Sequence, residues 1–287
     1  MDLEYSFGER VIVIPRVFPI SFKRQRTLHS HYAIIGVGTV IDGYPMYADA
    51  MNECGLCMAG LNFPRYAYFP SDADCERKRI APFELINYIL ATCSTVTDVK
   101  TLLTDAAIVD IPFSDDVPNA TLHWHIADKH SSITVESTRN GLFVYDNPIN
   151  VLTNSPSFDF QLEHFSSFSQ LSCTHNGDRT SLGCGAVGLP GDLSSTSRLV
   201  RAAFLLGCAS KKLPAEDACD CLLSLLAAVA MTDGSVVDAE GRVHKTTYSS
   251  CMLPSQGKYI LKRAGSLRPS EFVLSALNVD SARLISL

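Results

Sequence analysis

The chain has 287 residues, 24 basic and 30 acidic, for a net charge of −6. Hydrophobic residues make up 46% and charged ones only 19%, enough to bury a large core, which excludes a disordered chain. Mild acidity, with no basic run beyond Lys23-Arg24-Gln25-Arg26 (read as a solvated loop), argues against nucleic acid or an anionic membrane face as partner.

In chain order, Val11–Ile14 is a β-branched run closed by Pro15 and reads as a strand. Tyr32–Ile41 and Tyr44–Asp49 flank Asp42-Gly43, a strong hairpin signal. The turn Asn52-Glu-Cys-Gly55 leads into a strand over Leu56–Leu61. The middle strands are apolar on both sides, so both faces of this antiparallel meander are expected to be covered. Helices follow at Ala81–Ala91, with Pro82 suited to the first turn, and at Thr97–Leu103. Strands return at Leu122–Ala127, Ile133–Glu136 and Leu142–Tyr145, with Asn140-Gly141 turning between the last two. The stretch from Ser172 to Ser197 reads as loop, followed by helices at Arg198–Cys208 and Pro214–Ala230 and a strand pair at Thr246–Met252 and Lys258–Lys262. Without an internal repeat or low-complexity linker, a single domain over residues 1–287 is expected. Its order of elements suggests a layered α+β fold rather than a parallel βαβ sheet.

No apolar stretch reaches the roughly 18 residues of a membrane helix. The start Met-Asp-Leu-Glu-Tyr lacks the basic and apolar regions of a signal peptide. A soluble, cytoplasmic protein is expected. In that compartment the ten cysteines are more often buried thiols than a disulfide framework. Cys54-Gly-Leu-Cys57 has redox spacing but lies in a strand-like stretch rather than at a helix start, and no second pair completes a zinc site. His123 and His125 share one face of a strand and could present two metal ligands, but spacing supplies no third, so packing is the simpler reading. His29 and His31 carry the same ambiguity.

Three segments carry more chemistry than folding requires. Met58–Pro64 ends a buried-looking strand with Asn62, Val151–Pro156 presents Asn154, and Gly188–Arg198 delivers Arg198 at a helix start. Two amides and an arginine would suit acyl transfer, where negative charge develops on a tetrahedral oxygen. Asparagine beside proline-containing turns is equally ordinary turn chemistry.

Around these segments the chain resembles the choloylglycine hydrolase family of bile salt hydrolases and penicillin V acylases, and looks closest to the bile salt hydrolases. The resemblance rests on His31-Tyr-Ala-Ile-Ile-Gly36, Ala59-Gly-Leu-Asn-Phe-Pro64, Leu122-His-Trp124, Ile126-Ala-Asp128 and Val135-Glu-Ser137. It continues through Val144-Tyr-Asp-Asn-Pro148, Leu152-Thr-Asn154, Gly188-Leu-Pro-Gly-Asp-Leu-Ser-Ser195 and Tyr248-Ser-Ser-Cys251, in register along the whole chain. It implies an N-terminal nucleophile hydrolase fold, an αββα four-layer sandwich, and hydrolysis of the amide joining a bile acid to glycine or taurine. In the family an N-terminal Cys attacks, its own α-amine handles the proton, and water hydrolyses the thioester, so no cofactor or metal is needed. Penicillin V acylase activity is the alternative specificity, and tetramers are common.

By the same resemblance, Asp2 matches the Asp that contacts the nucleophile and its amine, and Asn154 an oxyanion-hole Asn. Asn62 matches a neighbouring position that is Asn in bile salt hydrolases and commonly Tyr in penicillin V acylases. Arg198 matches the Arg beside the thiol, and Met1 an apolar residue near the steroid. The family's opening strand, with its nucleophilic Cys and a Gly-Arg-Asn turn, should precede this Asp, whereas the sequence starts at Met1-Asp2. None of the ten cysteines can acquire a free α-amine. Met1 is therefore expected to be an internal methionine with the start upstream, the alternative being a remnant that has lost its first strand. The polypeptide as it stands is expected not to hydrolyse conjugated bile salts. A non-catalytic bile-salt-binding protein is the reading from another functional class.

Overall fold

A computed structural model describes residues 1–74, 77–174, 185–210 and 212–287. In chain order its strands are β1 (Asp2–Leu3), β2 (Arg10–Ile14), β3 (Ile34–Ile41), β4 (Tyr44–Asn52), β5 (Cys57–Asn62), β6 (Lys78–Ile80), β7 (Ala106–Ile108), β8 (Leu122–Ala127), β9 (Ser132–Thr138) and β10 (Gly141–Asp146). They continue with β11 (Val236–Val237), β12 (Val243–Thr246), β13 (Tyr248–Leu253), β14 (Lys258–Arg263), β15 (Ser270–Val273) and β16 (Ile285–Ser286). The helices are α1 (Leu85–Thr92), α2 (Val96–Thr104), α3 (Phe158–Ser166), α4 (Ser195–Cys208) and α5 (Ala215–Ala227).

The main sheet has eight antiparallel strands in the order β10-β9-β8-β5-β4-β3-β2-β16. Alternation along each strand sorts its side chains to two faces. Ile12, Ile14, Ile34, Trp124 and Ile126 point to one side, where they pack with Leu85, Ile86 and Ile89 of α1 and Val99 of α2. Val11, Val13, Ile35 and Val37 point to the other, against Tyr248, Tyr259 and Leu261 of a second sheet ordered β13-β14-β15. That second sheet is covered in turn by α5, whose Cys219 packs with Cys251 and Ile260. The layers are therefore helix, sheet, sheet, helix. This is the αββα sandwich of the N-terminal nucleophile hydrolases.

The hairpin at Asp42-Gly43 forms with both residues at positive φ, +50° and +78°, the left-handed pair that suits strand twist in a two-residue turn. The Cys54–Cys57 pair differs from its strand-like reading: Cys54 and Gly55 lie in the turn before β5, and only Cys57 is in the strand. Helix α4 begins three residues earlier than its hydrophobic spacing suggests, because Ser194 caps it with its hydroxyl on the Ser197 N–H at 3.4 Å. Much of the expected loop before it, residues 175–184, lies outside the described residues. Helix α3 and the short strands β1, β6, β7, β11, β12, β15 and β16 were not expected from the pattern. Among the described residues, no helix is long and apolar enough to cross a membrane.

Candidate active site

Five residues single out the site, and they arrive on β1 and the residue before it, β5, α4 and the loop before α3. Arg198 stands one turn into α4, at the helix start where the sequence places it. The residue is 8% exposed and all three of its side-chain nitrogens are used. Nε donates to the Leu193 carbonyl at 3.1 Å, Nη2 to Asn154 Oδ1 at 2.7 Å, and Nη1 to Asp2 Oδ2 at 3.3 Å. Burial pulls the guanidinium below the usual arginine value, Asp2 opposes that, and Arg201 one turn on adds to it. Arg201 itself ties Pro190, Asp192 and the end of α5 at Ala228 through their carbonyls. Asp192, accepting from Ser194 and Ser197, has its carboxyl held down to about 2 by those contacts.

Asp2 sits on β1, whose antiparallel pairing with β12 sets Asp2 opposite Thr246. The Thr246 hydroxyl donates to Asp2 Oδ1. Asp2 thus accepts from β12 and α4 at once and is held as an oriented acceptor. The Met1 α-amino group donates to the Tyr248 carbonyl at 2.8 Å, and burial lowers its proton affinity, with Asp2 and Asp49 opposing. The Met1 side chain rests against the inner cluster between the sheets.

Asn154 links the two halves of the site. Its Oδ1 faces Arg198, which turns Nδ2 towards β5, where it donates to the Asn62 carbonyl at 2.9 Å. Its backbone N–H donates to the Ser195 hydroxyl at 3.0 Å, and its carbonyl accepts from Gln161 at 2.6 Å. A side-chain amide carries two N–H donors. One holds Asn62, leaving the second for a ligand. Asn62 ends β5 and is exposed; its backbone, not its side chain, makes the bond to Asn154. All five residues named from the sequence therefore come together, four of them joined by hydrogen bonds and Met1 through its neighbour Asp2.

Sequence reasoning missed Thr246, Ser195 and Gln161, which hold Asp2 and Asn154, because Thr246 ends the short β12, Ser195 opens α4 and Gln161 is a polar residue on the inner face of α3, and none of these stands out in a hydrophobic pattern. It also missed Asp49, a buried carboxylate on β4 that takes the hydroxyls of Tyr248, at 2.8 Å, Ser250, at 3.0 Å, and Tyr259 from the second sheet. Tyr248 and Ser250 are two apart on one strand, so alternation already places both on one face. Burial raises the Asp49 carboxyl above its ordinary value, with the three hydroxyls opposing.

Among the described residues, no group of three His, Cys, Asp or Glu side chains could hold a metal ion. His123 is bonded to Glu136 and to the Thr153 carbonyl, and His125 to Ser132. His31 bridges the carbonyls of Phe18 and Tyr32. The described cysteines are all unpaired thiols. Cys57 and Cys251, which lie between or against the sheets, are pushed up to about 12 by burial and are poor nucleophiles.

A family profile described as linear amide C–N hydrolases, choloylglycine hydrolase family, matches residues 1–287. The chain is 39% identical over 294 residues to a bile salt hydrolase/transferase of Lactiplantibacillus plantarum, covering 99% of this chain and 90% of that protein. It is 42% identical over 273 residues to a bile salt hydrolase/transferase of Clostridium perfringens, covering 90% of this chain and 82% of that one. Among solved structures, a mutant conjugated bile acid hydrolase from Clostridium perfringens superposes with a TM-score of 0.91 at 36% identity, covering 100% of this chain and 91% of the other. A penicillin V acylase from Agrobacterium tumefaciens shares the fold, with a TM-score of 0.82 at 22% identity, covering 100% and 85% of the two chains.

Proposed function

We propose, from the premise that this chain belongs to the choloylglycine hydrolase family of linear amide C–N hydrolases, that its substrates are bile salts joined through an amide to glycine or taurine. The observation that carries the reading is the Arg198 hub, with Asn154 at 2.7 Å and Asp2 at 3.3 Å. Arg198 fixes the Asn154 amide so that its free N–H can meet the oxygen of a tetrahedral intermediate, where a preorganised donor counts most. Asn62 lies on the rim beside that donor, and the exposed part of Met1 offers apolar contact to the steroid. Asp2, held from two sides, is placed to orient the attacking residue and its amine. The similarity to bile salt hydrolases on both the sequence and the structure side favours conjugated bile salts over penicillin V; the acylase supports the fold alone.

The chemistry of such a site is a double displacement. A thiolate adds to the amide carbonyl, the C–N bond breaks as the amino acid leaves with a proton from the α-amine, and a water then cleaves the thioester to the free bile acid. None of the described cysteines bonds to Asp2 or Arg198, and the polypeptide of residues 1–287 is expected to bind the substrate without turning it over. Calorimetry of this polypeptide with a glycine-conjugated bile salt, beside an assay for free glycine, tests the reading. Heat of binding with no glycine is expected. Release of glycine would overturn the statement that these residues lack the attacking thiol, and absence of both would overturn the substrate assignment.

A further inference from the structure

The His123–Glu136 pair is fully buried, at 0% exposure for both side chains, and the chemistry above makes no use of it. The register of β8 on β9, with Trp124 opposite Val135, sets His123 across from Glu136 on the face turned away from α1. Their Nδ1 and Oε1 are 3.0 Å apart, while His123 Nε2 faces the Thr153 carbonyl at 2.7 Å. A carbonyl only accepts, so Nε2 carries a hydrogen. One further proton must then lie between Nδ1 and Oε1, since two lone pairs at 3.0 Å would repel. The Phe158 N–H, at the start of α3, donates to both oxygens of Glu136, at 3.1 and 3.2 Å. That contact and the positive end of the helix favour the carboxylate, which puts the proton on the ring. His125, two residues on, is held down to about 4, by burial first and by its neighbour His123, and is neutral.

The ring also touches both asparagine segments of the site. Thr153 directly precedes Asn154. On the other side the ring stacks on Phe63, which directly follows Asn62, with centroids 4.3 Å apart and planes at 7°. The Asn154-to-Asn62 hydrogen bond closes the cycle. We propose that His123 and Glu136 form a buried imidazolium–carboxylate pair that positions Asn154 and Asn62 against each other. His123 and Glu136 are positioning residues; they reach the site through Thr153 and Phe63. The proposal rests on the reading of the two asparagines as the oxyanion side of the site.

The test uses the whole chain, labelled with nitrogen-15 in histidine and asparagine, and needs no substrate. In the unsubstituted protein His123 is expected to show two protonated ring nitrogens and His125 one. In Glu136→Gln the amide can donate to Nδ1 while its oxygen keeps the Phe158 N–H, so the ring becomes neutral and the Asn154 side-chain signals stay in place. The double variant His123→Phe/Glu136→Gln keeps the stack and the helix contact and removes the donor to Thr153 together with the ring acceptor for the amide at position 136, which lies on the side away from Asn154. There the Asn154 side-chain amide is expected to exchange about tenfold faster, the scale of one lost hydrogen bond. The Asn52 amide, bonded to the Leu90 and Cys93 carbonyls on the α1 side, should be unmoved, whereas a merely structural role would shift both asparagines together. A neutral His123 in the unsubstituted protein, or an Asn154 indifferent to the double variant, would overturn the proposal. Failure to bind a bile salt would overturn the functional reading and leave these signals as they are.

Discussion

Asp49 shows at a single residue how the two sheets are joined. Three hydroxyls from β13 and β14 converge on one carboxylate of β4 across an otherwise apolar interface. Burial raises its proton affinity above the ordinary Asp value of about 3.9. The folded state therefore favours the protonated acid, and the stabilisation is complete below that ordinary value. It is lost as pH rises through the raised folded value. Urea unfolding of the natural protein and of Asp49→Asn across this range should show the natural protein's advantage shrinking as pH rises. A constant gap would mean that Asp49 titrates alike in folded and unfolded chains. Asp2, Asn154 and Arg198 were recognisable as residues to watch from the family resemblance, whereas the bare pattern offered asparagines beside turns and Arg198 at a helix start, and gave no sign of Asp2. What the sequence could not convey is which atoms of Asn154 are occupied, because that depends on Arg198, Ser195 and Asn62 meeting from remote segments.

At the scale of elements, strands long enough to alternate were legible and short ones were not. Strand β8 occupies the predicted Leu122–Ala127. The seven strands missed have two to four residues each, too few for a period of two to register. Helix α3 escaped because its inward positions are held by Phe158 and a polar residue, Gln161, while Phe160 is 53% exposed. Gln161 faces inward to bond Thr153, Asn154 and Pro156, so a site requirement overrode the apolar stripe. Glycines separate the same way by their surroundings. A Cβ on Gly36 of β3 would collide with the Asp49 carbonyl and with Ala50 on β4. Gly43 meets nothing within 4 Å and is constrained only by its φ of +78°. Gly43→Ala should lower the unfolding free energy by about 1 kcal/mol, the strain of a left-handed residue with a side chain. Gly36→Ala should cost at least about 4 kcal/mol or prevent folding, as expected when overpacking cannot relax. Similar losses in denaturant unfolding for both would refute the close approach of β3 to β4.

Across the whole molecule the cysteines report which layers open. Cys54, Cys173 and Cys208 are exposed, whereas Cys93, Cys219 and Cys251 are buried. The Cys251 thiol packs where α5 meets the second sheet, and burial pushes it up to about 12. At mildly alkaline pH a thiol reagent followed by mass mapping should modify the exposed group promptly. Cys251 should react only at the rate at which the α5 layer detaches. Prompt labelling of Cys251 in the native protein would refute the packing of α5 on the second sheet. The layered α+β class was legible from the order of elements, since runs of strands alternate with runs of helices. The pairing of the two sheets was not, because it depends on which of two apolar faces meets which.

The Asp2–Thr246 contact spans 244 positions, Asp2–Arg198 spans 196 and Asn154–Asn62 spans 92. Each of these three links closes a long loop, and a chain gains none of them until most of its topology is in place. Ligand affinity should consequently be the last property to appear during refolding, later than the far-UV signal of the helices. The same geometry makes the site vulnerable to a single backbone cut anywhere between its parts, because the contacts that define it would then have to reassemble two separate chains.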